Sequence, residues 1–149
     1  MGMASAVLVV VTLFTGFLWS NGSSGAEVID GSDPDLVALG RGIYSEHCAS
    51  CHGGKLEGEP DWRRRDAEGY LPAPPHDETG HTWHHPDDQL FTVTKYGTAS
   101  IAPEGYKTRM GGFGDVLTDR QIRAVLAFIK STWPPKQRQV QDRINGRQQ

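Results

Sequence analysis

The chain has 149 residues and a formal net charge of −3, a length that suits one domain. The charge is uneven: residues 27–133 hold 11 basic and 17 acidic residues, net −6, and residues 134–149 are net +3. An acidic body with no basic stripe argues against nucleic-acid binding, and two cysteines inside one short motif leave no disulfide framework.

Residues 1–26 contain no Lys, Arg, Asp or Glu. Within them Ala4 to Trp19 is a nearly unbroken apolar run. At about 16 residues it is short for a spanning helix, which needs roughly 20, and long for the core of a signal peptide. The small residues Ser24-Gly25-Ala26 offer a cleavage site. No basic residue precedes the run, which fits a retained anchor equally well. Both readings predict export, with residues 1–26 acting as a signal peptide or an N-terminal membrane anchor. In the second case the membrane is met through residues 4–19.

Asp33-Pro34 reads as an N-cap followed by proline at the first helical position. Leu36, Leu39, Gly40, Ile43, Tyr44 and His47 follow at helical spacing. This predicts a helix that delivers the chain into Cys48-Ala49-Ser50-Cys51-His52. Residues 53–85 are rich in Gly, Pro, Asp and Arg and predict a long irregular stretch, with Arg63, Arg64 and Arg65 as a solvated charge run. A second helix is expected from Pro86, with Asp87 and Asp88 favourable in its first turn and Gly97 as its stop. The segment from Lys107 to Asp115 reads as a glycine-rich loop. Thr118-Asp119-Arg120-Gln121 is a capping box. The helix it opens carries Ile122, Val125, Leu126, Ile129 and Trp133 along one face, and Pro134-Pro135 ends it. The basic tail, residues 134–149, is expected to be solvated and frayed. No strand pattern and no internal repeat is visible.

The Cys48-x-x-Cys51-His52 spacing suits covalent haem attachment. Each thiol can add to a haem vinyl group to give a thioether, and the next residue sets an imidazole against the iron. Zinc would require a second ligand pair, and no other cysteine exists. A thioredoxin-like redox pair would require alternating strands and helices, which the pattern lacks. A further metal site at His76, His81, His84 and His85 is conceivable, since imidazole is a common ligand. Loop hydrogen bonding and packing against the haem edge is the expected use of these four.

From Asp33 to Trp133 the chain resembles the class I cytochromes c. The resemblance rests on Gly40 and Tyr44 ahead of the motif, on CASCHG itself, on Met110 in a glycine-rich loop 58 residues after His52, and on the helix TDRQIRAVLAFIKSTWP. It implies an all-α domain, residues 27–133, of three to four helices and long loops wrapped around one covalent haem c. The first and last helices would cross at Gly40 near Phe128. His52 and Met110 would be the axial ligands of the haem iron, and a loop proline carbonyl would accept the other ring N–H of His52. Pro74 is the expected residue, with Pro72 and Pro75 close by. Met1 and Met3 lie in the leader, which leaves Met110 as the methionine of the domain; His81, His84 and His85 are the rival ligands. Gly111, Gly112 and Gly114 would free the backbone to bring the thioether over the haem. Trp83, and after it Trp62, Tyr70 and Tyr106, are candidates to bond haem propionates or wall the pocket, against a plain packing role. The family often has proline after the ligand methionine, where this chain has Gly111. The stretch from Leu71 to Asp87 is longer and richer in histidine than in the simplest members.

The function so implied is single-electron transfer by a non-enzymatic carrier in the periplasm or on the outer face of the cytoplasmic membrane. Redox proteins would dock at the haem edge of a monomer or a complex subunit. The alternatives are a haem subunit of a membrane oxidoreductase complex, and a haem enzyme or gas sensor with a labile sixth ligand.

Overall fold

The computed structural model describes residue 1 and residues 29–147; the leader reading falls outside them. Five α-helices and no strand are present among the described residues: α1 (Pro34–His47), α2 (Ala49–His52), α3 (Asp87–Tyr96), α4 (Asp119–Thr132) and α5 (Pro135–Asn145). None of these is long and apolar enough to cross a membrane.

The helix ends follow local chemistry. Asp33 Oδ1 accepts from the amides of Asp35 and Leu36 at 2.9 and 3.1 Å, satisfying two of the orphan donors of the first turn. Thr118 and Gln121 cap α4 reciprocally. Gly97 closes α3 with a φ of 84°, a left-handed backbone that favours glycine.

α1 packs along α4, and Gly40 sets how closely. A Cβ there would overlap the Ala124 carbonyl and lie 3.0 Å from Phe128 Cβ. The crossing expected at Gly40 is therefore present, as backbone against backbone. Ile43 and Tyr44 from α1 join Ile122, Val125, Ile129 and Trp133 in the core, with Leu56, Leu90 and Leu117 around them. α4 is more enclosed than its apolar stripe implies: every residue from Ala124 to Lys130 is buried. The small residues Ala124 and Ala127 account for this, since they let neighbouring chain press onto the face opposite the stripe.

One expectation is corrected. The tail is not frayed over residues 135–145: it forms α5, and Gln141 is 0 % exposed. α4 ends at Thr132, ahead of Pro134-Pro135 as expected, and Pro135 then occupies the first turn of α5, where its missing N–H costs little. Asp87 stands in the first turn of α3, as expected. It is buried, and its carboxylate takes Lys130 Nζ at 2.8 and 2.9 Å, the Ile29 amide at 3.1 Å and Gln141 Nε2 at 2.6 Å. Asn145 Oδ1 accepts from the Asp87 amide at 2.9 Å. One carboxylate thus ties the start of the described chain, α3, α4 and α5 together.

The stretch after the motif is irregular to His81, followed by a 3₁₀ turn over Thr82–His84. Residues 56–59 run back against 73–77: Glu59 N donates to Ala73 O at 2.9 Å, and His76 N to Leu56 O at 2.8 Å. Gly58 makes this approach possible. Its φ is 68°, and a Cβ would lie 2.7 Å from the Pro74 carbonyl carbon.

Candidate haem site

The motif is wound as a single turn. Cys48 O accepts from Cys51 N at 3.1 Å and from His52 N at 2.9 Å, so the two cysteines are neighbours on one face of the turn. They are not joined to each other. Burial pushes the Cys48 thiol up to about 11, and Cys51 adds to the shift.

His52 is buried, and its Nδ1 lies 2.8 Å from Pro74 O. A carbonyl oxygen only accepts, so Nδ1 carries the proton and Nε2 keeps its lone pair. Such a hydrogen bond fixes the tautomer and ring orientation of a metal-binding histidine. Burial lowers the His52 pKa below the ordinary histidine value, opposed by the Pro74 bond and by Glu59. The imidazole is thus neutral and ready to bind a metal. Tyr44 OH donates to Gly53 O at 2.9 Å, which pins the end of α2 to α1.

The remaining sites of the sequence reading are placed as follows. Met110 is half-buried in the glycine-rich loop. Its N–H donates to Thr108 Oγ1 at 3.0 Å, and its carbonyl accepts from Thr98 N at 3.4 Å. None of Gly111, Gly112 and Gly114 has a positive φ, which corrects the reason expected for them. Gly112 and Gly114 are required by space: a Cβ on Gly112 would lie 2.7 Å from Tyr96 C, and one on Gly114 3.0 Å from Lys95 O. Gly111 faces open space.

Trp83 packs on His84, with ring centroids 3.6 Å apart. His81 stacks on Trp62 at 5.3 Å and 13°, with His85 edge-on to it. Among the described residues no group of three or more His, Cys, Asp or Glu is arranged to hold a metal ion. Arg63 and Arg65 of the charge run are exposed but engaged, the first over the Trp62 ring and the second over Tyr106.

The sequence reading missed one member of the site, Gly58, and gave His76 only a loop or haem-edge role. His76 stacks on His52 with ring centroids 4.0 Å apart at 26°, and its Nδ1 meets Thr82 Oγ1 at 2.8 Å. Its place two residues after Pro74 was the available signal. Gly58, which lets the Pro74 segment approach, carries no signal of its own beyond being a loop glycine.

These residues fit a haem. A neutral histidine presents Nε2 beside two cysteines on one turn. Two buried ring nitrogens, Trp83 Nε1 and His81 Nδ1, have no hydrogen-bond partner within the protein. Buried polar atoms of this kind normally find one, and the carboxylates of a haem would supply acceptors.

The family model described as Cytochrome c matches residues 37–133. No curated protein and no solved structure matches the chain. The matched segment holds α1 through α4, the Cys48–His52 turn, the Pro74 loop and Met110, with Cys48 and Cys51 as the attachment points of a covalent haem c. The chain belongs to the cytochrome c family, and its chemistry is haem-based electron transfer.

Proposed function

We propose that the protein is a one-electron carrier with His52 and Met110 as axial ligands, working outside the cytoplasmic membrane in a respiratory-type chain. The observation that carries this reading is the His52 Nδ1–Pro74 O contact of 2.8 Å, which leaves Nε2 for the iron. Bound haem supplies an iron that cycles between ferric and ferrous. Cys48 and Cys51 would hold it through thioethers, and His52 Nε2 and the Met110 thioether sulfur would be its iron ligands. The unpartnered buried ring nitrogens of Trp83 and His81 support a role for these side chains as donors to the propionates. His/Met ligation raises the potential relative to two histidines. Redox partners dock at the haem edge through a small interface, as weak encounters do. The uncharged apolar run Ala4–Trp19 supports export.

An optical spectrum in both redox states tests the ligand set. The ferric protein is expected to show the weak far-red band of iron–methionine ligation. Met110→Ala is expected to abolish it, to lower the potential and to admit carbon monoxide to the ferrous form. An unchanged spectrum in Met110→Ala would assign the sixth position to a histidine. Ready binding of carbon monoxide by the unaltered protein would favour an enzyme or gas sensor over a carrier. Sequencing the N-terminus of mature protein separates cleavage, with a start near Glu27, from a retained anchor. Holoprotein confined to the cytosol would refute export altogether.

A further inference from the structure

The loop before Met110 is gripped from outside. Arg109, its immediate neighbour, places Nη2 2.7 Å from Asp66 Oδ2, and its guanidinium lies 4.1 Å from the centre of the Tyr70 ring. Lys107 Nζ donates to Glu68 O at 2.7 Å, and the Arg65 guanidinium lies over Tyr106 at 5.2 Å. All these contacts join residues 65–70 to residues 106–109, about forty positions away.

The receiving side is ordered without help from the Met110 loop. Asp66 and Tyr70 exchange hydrogen bonds: Tyr70 N to Asp66 Oδ1 at 2.8 Å, and Asp66 N to Tyr70 O at 2.9 Å. Arg65 Nη1 closes the same turn on Gly69 O at 2.6 Å. Asp66 and Tyr70 therefore form a ready-made seat for Arg109. The Cα of Met110 is one peptide, about 3.8 Å, beyond that of Arg109.

We propose that Asp66, Tyr70 and Arg109 form a clasp that sets how readily Met110 leaves the iron, which makes Asp66 and Arg109 positioning residues for the sixth ligand. The proposal rests on the assignment of Met110 as that ligand. A single exposed ion pair contributes little. Here the ion pair, the ring contact and the ordered turn act on one residue adjoining the ligand. On the other side of Met110 the loop is tied to the end of α3 by Phe113 N to Thr94 O at 3.0 Å and Gly114 N to Lys95 O at 2.9 Å. With the clasp released, residues 105–110 keep only the Lys107 and Tyr106 contacts to residues 65–70, so the segment moves more readily about that fixed end and takes the sulfur with it.

The test uses the full haem-loaded chain in its ferric form, with imidazole as the probe that replaces the thioether. The variants are Asp66→Asn, Arg109→Gln, the double variant, and the reversed pair Asp66→Arg with Arg109→Asp. The readouts are the rate of imidazole binding at saturation, hydrogen exchange of the amides of residues 105–110, and the denaturant midpoint. Arg109→Gln is expected to raise the rate about tenfold, the combined scale of an ion pair and a cation–ring contact, and Asp66→Asn, which leaves the ring contact, about threefold. The double variant should add nothing to Arg109→Gln, because both changes open the same link. The reversed pair should recover part of the loss, exchange should quicken over 105–110, and the midpoint should stay at the parent value. Rates within twofold of the parent in both single variants would overturn the proposal, as would a midpoint that falls in step with the rates. The ligand assignment fails separately: if Met110→Ala keeps the far-red band, that assignment falls and the proposal with it. If Met110→Ala loses the band while the clasp variants keep the parent rate, the proposal alone falls.

Discussion

Around His52 main chain is held by main chain, whereas the segment leading into Met110 is held by side chains. On the His52 side the Pro74 loop is hydrogen-bonded to residues 56–59, with Leu56 and Pro75 buried beneath it. Tyr44 ties the end of α2 to the helix behind it. On the Met110 side Arg109 is 56 % exposed, and the neighbouring residues 103–105 and 111–112 are exposed as well. Buried backbone bonds open only with larger unfolding, while exposed side-chain contacts break locally. Under the proposed His52/Met110 ligation, the difference would make the first ligand fixed and the second displaceable.

Five substitutions can break or sharpen that contrast. The largest effect belongs to Cys48→Ala and Cys51→Ala, which are expected to leave one thioether or no holoprotein. Haem retention through denaturing electrophoresis reads this directly, and complete loss of haem from the parent on acid–acetone extraction would refute covalent attachment. Next comes Asp87→Ala, which strands the buried Lys130 ammonium away from water. Breaking a buried pair in this way costs about 3–5 kcal/mol, measured as a lower denaturant midpoint. A loss under about 1 kcal/mol would mean that water reaches Lys130.

Gly58→Ala tests the His52 side. The new Cβ meets the Pro74–Pro75 backbone at a positive φ, so stability should fall by about 2 kcal/mol, and the Pro74 carbonyl should retreat from His52. The imidazole N–H proton signal of the axial histidine in NMR should shift accordingly; an unshifted signal would show that the loop yields without moving Pro74. The smallest effect is expected of Gly111→Ala. Its Cβ enters open space at an ordinary φ, so stability should change by no more than about 0.5 kcal/mol. A large loss there would show that the segment after Met110 is as tightly packed as the Pro74 loop, and would erase the contrast.

The ends of α1, α3 and α4 were legible in the sequence. A cap is a contact between residues two to four positions apart, so the letters Asp33-Pro34, Gly97 and Thr118-x-x-Gln121 carry the whole interaction. The attachment turn was legible for the same reason: Cys48, Cys51 and His52 lie within one helical turn, and their chemistry is contained in their spacing. The Gly40 crossing came from family resemblance, and the structure supplies its cause in the Ala124 carbonyl. The tail was misread because α5 has a weak apolar face and is held through a polar residue, Gln141, whose partner Asp87 lies 54 positions away.

The sequence by itself determined where helices begin and end, that one turn bears two thiols and an imidazole, and that a single methionine lies beyond residue 26. Those properties depend on neighbours along the chain. Only the tertiary structure decided that the Pro74 carbonyl meets His52, that His76 stacks on that ring, that Gly112 and Gly114 are needed for space, and that Arg109 sits on Asp66 and Tyr70. Each of these joins residues well separated along the chain. Hydrogen bonds, ring contacts and steric fit act over a few ångströms, so such partners are defined only once the chain has folded and brought them within reach.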